Sequence, residues 1–164
     1  MDIRKSKRLL SKHIHPYVLC IIDMQPDGFS NSKIIIDNVL TLVREAIIKK
    51  AFVVVAQYKN AGDTHISIIN ALQDYPYKAY GWNNRNDKSP IIQNILREKK
   101  VFTRLIKVCG VNTEYCIWAT VNGLARKYYI PIKVIESACN GTDRIIEDAL
   151  HHMRTTYKNV EVIS

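Results

Sequence analysis

A chain of 164 residues with 47% hydrophobic content is one domain with room for a real core. Its formal charge of +9 comes from basic residues spread along the chain, with one modest cluster at Arg4, Lys5, Lys7, Arg8 and Lys12. That cluster reads as a solvated basic extension over residues 1–16, not as a nucleic-acid surface. The four cysteines, Cys20, Cys109, Cys116 and Cys139, show no CxxC spacing and read as free thiols of a cytoplasmic protein, which excludes a disulfide frame. The apolar runs are strand-sized, too short for a membrane span, and the charged opening followed by an apolar run ending in Asp23 is no signal peptide.

Taken in order, residues 17–164 alternate strand and helix. Tyr17 to Ile22 is a continuous apolar run, as expected of a strand buried on both faces, and it stops at Asp23 before a Pro26-Asp27-Gly28 turn. Ser30 to Ser32 precede a helical stripe of Ile35, Val39, Leu42, Val43, Ala46 and Ile47, closed by Lys49 and Lys50. Phe52 to Gln57 reads as a second strand, and Asp63 or Thr64 as the cap of a short helix through Ile66, Ile69 and Leu72. Residues 74–87 are aromatic and polar without a period, so they are expected to form a surface or site-lining loop. Ser89-Pro90 starts a helix carrying Ile91, Ile92, Ile95 and Leu96. Leu105 to Cys109 is a third strand and Ile132 to Ile135 a fourth; a turn at Asn140-Gly141 leads to a helix from Thr142 through Met153, and Val160 to Ile163 is the last strand.

The central stretch runs Val108-Cys109-Gly110-Val111-Asn112-Thr113-Glu114-Tyr115-Cys116-Ile117-Trp118-Ala119-Thr120. Its strand breaks at Gly110 and restarts as a helical pattern at Ile117, Val121, Leu124, Ala125 and Tyr128, which places Cys116 at the mouth of a helix capped by Thr113. Backbone N–H groups there would favour the thiolate and an oxyanion, although a buried structural cysteine fits the same letters. A parallel α/β sheet binds ligands beyond the carboxyl ends of its strands, so Asp23, Lys78 and Cys116 are candidates for one acid, base and thiol site.

The run Leu19-Cys20-Ile21-Ile22-Asp23-Met24-Gln25-Pro26-Asp27-Gly28-Phe29 resembles the opening strand of the isochorismatase-like cysteine hydrolases. The Val108–Thr120 run resembles that family's nucleophile segment, and Ile135-Glu136-Ser137-Ala138-Cys139 its following strand and acidic turn. What the resemblance implies is a doubly wound, mainly parallel six-stranded α/β sheet and an Asp-Lys-Cys triad. By position, Asp23 is the general base and Cys116 the nucleophile; Lys78, before Ala79-Tyr80-Gly81-Trp82, is the best match for the lysine, with Lys88 the fallback. It further implies a cis peptide between Val111 and Asn112, an oxyanion hole from the N–H groups of Asn112 and Cys116, and self-association as dimer or tetramer. Phe29 and Tyr115 in the motif segments, with Tyr80 and Trp82, are the expected substrate-binding residues.

The resemblance has one clear departure. Nicotinamidases of the family carry metal ligands after the second strand, and here Tyr58 and Asn60 stand at those positions; Asp63-Thr64-His65 comes several residues late and reads as a helix cap. No cofactor or metal is therefore expected. His13-x-His15 belongs to the basic extension, His151-His152 to a solvent face, and Trp118 and Tyr128-Tyr129 to core or subunit contacts. The function implied is cleavage of an amide, ureido or carbamoyl bond of a small molecule, without membrane or nucleic-acid partners. The alternatives are a vinyl-ether hydrolase and a non-catalytic basic binding protein of the same fold.

Overall fold

A computed structural model describes residues 14–26 and 29–164. The basic cluster, His13 and the Asp27-Gly28 turn fall outside them. The main sheet consists of β2 (Val18–Ile22), β3 (Phe52–Tyr58), β4 (Lys78–Asn83), β6 (Ile106–Val111), β7 (Ile132–Asn140) and β8 (Val160–Ile163), in the order β4-β3-β2-β6-β7-β8. All five pairings are parallel. Two short strands, β1 (Ile14–His15) and β5 (Phe102–Thr103), form a separate parallel pair.

Helices cover both faces. Alternate residues of β2 divide between them: Leu19 and Ile21 pack with Val39 and Val43 of α1 (Lys33–Lys49) and with Ile68 and Leu72 of α2 (Ile66–Leu72). Val18, Cys20 and Ile22 face the other layer, α3 (Ser89–Glu98), α4 (Trp118–Lys127) and α5 (Asp143–Thr156). Burial on both sides is why β2 is apolar at every position. The expected fold class is thus the observed one. Among the described residues no helix is long and apolar enough to cross a membrane.

Several boundaries differ from the sequence reading. Residues 78–83 form the edge strand β4 instead of a loop, because the inward positions are small: Gly81 lies directly under Ile91 and Ile95 of α3, where a Cβ would come within 2.6 Å of Ile91. Strand β7 runs on to Asn140 past a register shift, so the acidic turn at Glu136 is a bulge within a strand. Helix α2 is capped by His65, whose Nδ1 accepts from the Ser67 N–H at 3.4 Å, and α3 by Lys88 instead of Ser89. His15 is buried, its Nδ1 2.8 Å from Lys50 O and its ring against Phe52 and Tyr77, so it is part of the fold and not of a solvated tail.

The order of the strands has one reversal, between β2 and β6. From β2 the chain winds outward through β3 and β4, returns to β6, and winds outward the other way. A crevice therefore opens between the carboxyl ends of β2 and β6. Gly110 of β6 makes the close approach there possible: its φ is +131°, and a Cβ would lie 2.1 Å from the Ile22 carbonyl oxygen. The obstruction is backbone, so it cannot swing aside. Gly110→Ala is expected to destabilise the protein by about 3 kcal/mol or more, read as a lowered urea midpoint at unchanged slope.

Candidate active site

Asp23 is the first residue beyond β2. It is 4% exposed and has a φ of +50°, a left-handed conformation unusual for a residue with a side chain, and its N–H donates to Ala56 O at 2.9 Å. Two residues on, Gln25 ties the end of β2 to the end of β3. Its Nε2 donates to Tyr58 O at 2.8 Å and Gly62 O at 2.7 Å, and its Oε1 accepts from the Tyr58 N–H at 2.8 Å. The Asp-Met-Gln segment is therefore fixed by backbone and by amide, which aims Asp23 into the crevice.

The cation facing Asp23 is Lys88. Its Nζ lies 3.3 Å from Asp23 Oδ1, with the two side chains 0% and 5% exposed. The same amine donates to Arg85 O at 2.7 Å and sits 4.4 Å from the centre of the Tyr58 ring. The Lys88 backbone N–H donates to Thr120 Oγ1 at 2.9 Å, which ties the start of α3 to α4. Lys78 lies elsewhere. It opens β4 opposite Val53, at the amino edge of the sheet, and its Nζ donates to Gln73 O at 2.6 Å and Tyr75 O at 3.0 Å. Asp23 and Cys116 stand at the carboxyl edge, so the position matched from sequence is replaced by the fallback, Lys88.

Cys116 is held in a turn of π-helix, Thr113–Ile117, that joins β6 to α4. The turn starts at Asn112, in left-handed conformation with φ 58° and ψ 57°, so Asn112 and not Thr113 occupies the cap position. The described chain contains no cis peptide bond, and Val111-Asn112 is trans. Three consecutive N–H groups, those of Tyr115, Cys116 and Ile117, donate to Asn112 O at 3.0, 2.7 and 3.2 Å. The Cys116 N–H expected in the oxyanion hole is thus engaged within the turn. Thr113 Oγ1 donates to Asn140 O, and Glu114 Oε1 accepts from the Thr142 N–H at 2.9 Å; together they lash the turn to the end of β7 and the start of α5.

The thiol belongs to this cluster. The Cys116 thiol is pushed up to about 12, by burial first, then by the charge of the neighbouring Asp23 and a side-chain hydrogen bond to it, with a smaller push from Glu114 and the Lys88 ammonium pulling the other way. The sequence leads one to expect an easily ionised thiol at a helix mouth. The structure shows the opposite, because the N–H groups of the turn are spent on Asn112 O and the nearest charge is a carboxylate. Cys116 Sγ also donates to Asn86 Oδ1 at 3.8 Å.

Of the expected substrate-binding residues, Tyr115 on the π turn and Trp82 at the end of β4 are exposed. Tyr80, two residues before Trp82, is half-buried in the cluster beneath α1 and α2, the face away from Cys116. Phe29 packs against that same cluster, and its carbonyl accepts from Asn140 Nδ2 at 3.0 Å. At the positions where metal ligands would stand, Tyr58 covers Lys88 and donates its hydroxyl to Asn84 O at 2.9 Å. A phenol so engaged does not suit a metal ion, and among the described residues no three His, Cys, Asp or Glu side chains gather as a ligand set. Sequence reasoning missed Gln25, Asn86 and Thr120 as parts of the site; Gln25 and Thr120 lie within the two quoted motif segments, and Asn86 lies in neither.

Compared with protein-family models and with curated proteins, the sequence matches none. Solved structures do match. The chain is similar to nicotinamidase from Bacillus subtilis at a TM-score of 0.77 and 15% identity, over 91% of this chain and 99% of that one. It is similar to the MAR1 ribonuclease from Caenorhabditis elegans at 0.77 and 15%, over 92% and 79% of the two chains. For N-carbamoylsarcosine amidase from Thermoplasma acidophilum the values are 0.69 and 13%, over 89% and 94%. At these identities the likeness is one of fold. The six-stranded, doubly wound architecture is shared with these structures.

The geometry separates the three charged candidates. Asp23→Asn is expected to lower the Cys116 pKa and speed its alkylation by iodoacetamide at pH 8–10, since it removes two influences that raise it. Lys88→Met is expected to slow that alkylation and to cost about 3 kcal/mol by removing the cation from a buried ion pair. Lys78→Ala is expected to leave the rate at Cys116 unchanged. Peptide mass spectrometry of the alkylated thiols reads all three, and a slowed Lys78 variant would overturn the assignment.

Proposed function

We propose that this chain is an isochorismatase-like cysteine hydrolase that cleaves the C–N bond of a small amide, ureido or carbamoyl compound through a thioester on Cys116. The observation that carries the reading is the meeting of Asp23, Lys88 and Cys116 at the reversal of strand order, on segments that also resemble the family's motifs. Its fold neighbours include proteins titled nicotinamidase and N-carbamoylsarcosine amidase, which supports amide chemistry. Catalysis needs no metal on this reading.

The chemistry follows from a neutral thiol beside a carboxylate. Asp23 takes the Cys116 proton as the sulfur attacks the carbonyl carbon, so that the C–S bond forms without a free thiolate at rest. The proton on Asp23 then passes to the departing nitrogen, the C–N bond breaks, and ammonia or an amine leaves behind a thioester. Water, deprotonated by the same carboxylate, splits the thioester and returns the thiol. Lys88 favours the carboxylate form of Asp23 before each proton is taken, and it offsets the negative charge that builds between sulfur and oxygen. Self-association and a cytoplasmic location belong to the same reading by family likeness.

A panel of small carboxamides, carbamoyl amino acids and ureido acids, followed by release of ammonia, tests this. Turnover is expected to fall about a thousandfold or more in Cys116→Ala and Asp23→Asn, with the thioester trapped by hydroxylamine in the parent protein. Absence of turnover on this panel, with cleavage of a vinyl ether that survives loss of Cys116, would favour a vinyl-ether hydrolase. The charge of +9 and the likeness to MAR1 ribonuclease support a second reading, action on RNA. RNA cleavage indifferent to Cys116→Ala, with steep salt dependence, would establish that one instead.

A further inference from the structure

The crevice supplies Asp23 as a proton acceptor but few groups able to hold the sulfur once it is charged. The three N–H groups of the π turn converge on Asn112 O. The Lys88 amine is shared among Asp23, Arg85 O and the Tyr58 ring. The other carboxylate acting on the thiol is Glu114, which raises its pKa. Asn86 brings to the thiol a neutral group of both characters, since a carboxamide has an acceptor oxygen and two donor N–H bonds.

We infer that Asn86 is a working part of the nucleophile site, its carboxamide accepting from the Cys116 thiol at rest and, turned half over, donating an N–H to the sulfur once the proton has passed to Asp23. The proton moves from Sγ to a carboxylate oxygen and the electron pair stays on sulfur, so the step needs no further reactant. The terminal torsion of asparagine is broad and nearly two-fold, and Asn86 is exposed at the mouth of the crevice, so the turn displaces no packed side chain. The backbone beneath it is fixed. Asn86 O accepts from Thr120 Oγ1 at 3.5 Å, and that same buried hydroxyl accepts the Lys88 N–H at 2.9 Å. Asn83 Nδ2 donates to Asp87 O at 2.8 Å, and Asp87 Oδ1 accepts from the Ser89 N–H at 2.7 Å. One hydroxyl on α4, the helix that follows the nucleophile, thereby sets both the amide over the sulfur and the lysine behind the base. This inference rests on Cys116 being the nucleophile.

The test is the second-order rate of Cys116 alkylation by iodoacetamide between pH 7.5 and 10, in the parent protein, Asn86→Ala and Asn86→Asp. The aspartate has the shape of the amide without its N–H donors and adds a negative charge beside the sulfur, so the neutral alanine is the variant that separates hydrogen bonding from simple cover. If Asn86 holds the charged sulfur, the alanine variant reacts about tenfold more slowly at every pH and the aspartate variant more slowly still. If Asn86 only covers the thiol, alanine reacts faster than the parent, while aspartate is slowed by its charge alone, and the inference falls. Rates unchanged in both variants also overturn it. A parent Cys116 slower than the fully buried Cys20 and Cys109 would instead remove the nucleophile reading, and the inference with it. Thermal melting of the variants is expected to match the parent, since the substituted side chain is exposed.

Discussion

The buried pair of Asp23 and Lys88 is the constraint around which the carboxyl edge of the sheet is arranged. Two opposite charges withdrawn from water are stable only when each finds further partners, and a single missing partner is costly. The molecule meets this from several directions. Asp23 is held by the β3 backbone and faces the Cys116 thiol, while Lys88 has Arg85 O and the Tyr58 ring. These partners come from three segments besides β2, so the charges can be buried only when β2, β3, the loop before α3 and the turn after β6 are all in place. The site is thus assembled by the fold and not by any one motif.

The strain in this region points the same way. Asp23 and Asn112, at the ends of β2 and β6, both have positive φ, as does Gly110 beside them. Left-handed backbone costs energy for residues with side chains, and two of the five such residues in the described chain, Asp23 and Asn112, sit on the strands that flank the reversal of strand order. Gly110 lets the two strands approach, Asp23 turns out of the sheet where it would otherwise continue, and Asn112 collects three N–H groups on one carbonyl. The π turn follows from that last feature: a helix begun on a single over-used acceptor winds wider than an α-helix, and Cys116 is carried on its wide loop.

How far this could be read from the sequence depended on whether the signal was local. Strand β2 was legible because burial on both faces writes an unbroken apolar run, and α1 because its core stripe repeats at helical spacing. Strand β4 was not, because an edge strand roofed by Ile91 and Ile95 needs Ala79 and Gly81 inward, and small residues carry no hydrophobic period. Asp23 and Cys116 stood in recognisable segments. Lys88 did not: its role depends on a loop returning over the sheet after β4, and the neighbouring aromatics favoured Lys78, whose amine closes a local turn at Gln73 and Tyr75. Thr120 closes the Val108–Thr120 segment, but its tie to the Lys88 backbone is long-range, and Asn86, the partner of the thiol, has no pattern of its own.

The high pKa of Cys116 changes what kind of nucleophile the crevice can hold. A cysteine activated as a resting thiolate needs a cation or free N–H groups beside it, and it then reacts with any electrophile that reaches it. Here the turn keeps its N–H groups for itself, and the nearest cation is already paired with Asp23. The sulfur remains neutral until a carbonyl carbon is close enough for attack and proton transfer to proceed together. Activation is therefore tied to the positioning of the substrate, and a thiol 4% exposed is protected from chance alkylation and oxidation. The same carboxylate that suppresses the thiolate at rest is the base that generates it during reaction, which is how a group raising the pKa of a nucleophile can still be the one that makes it act.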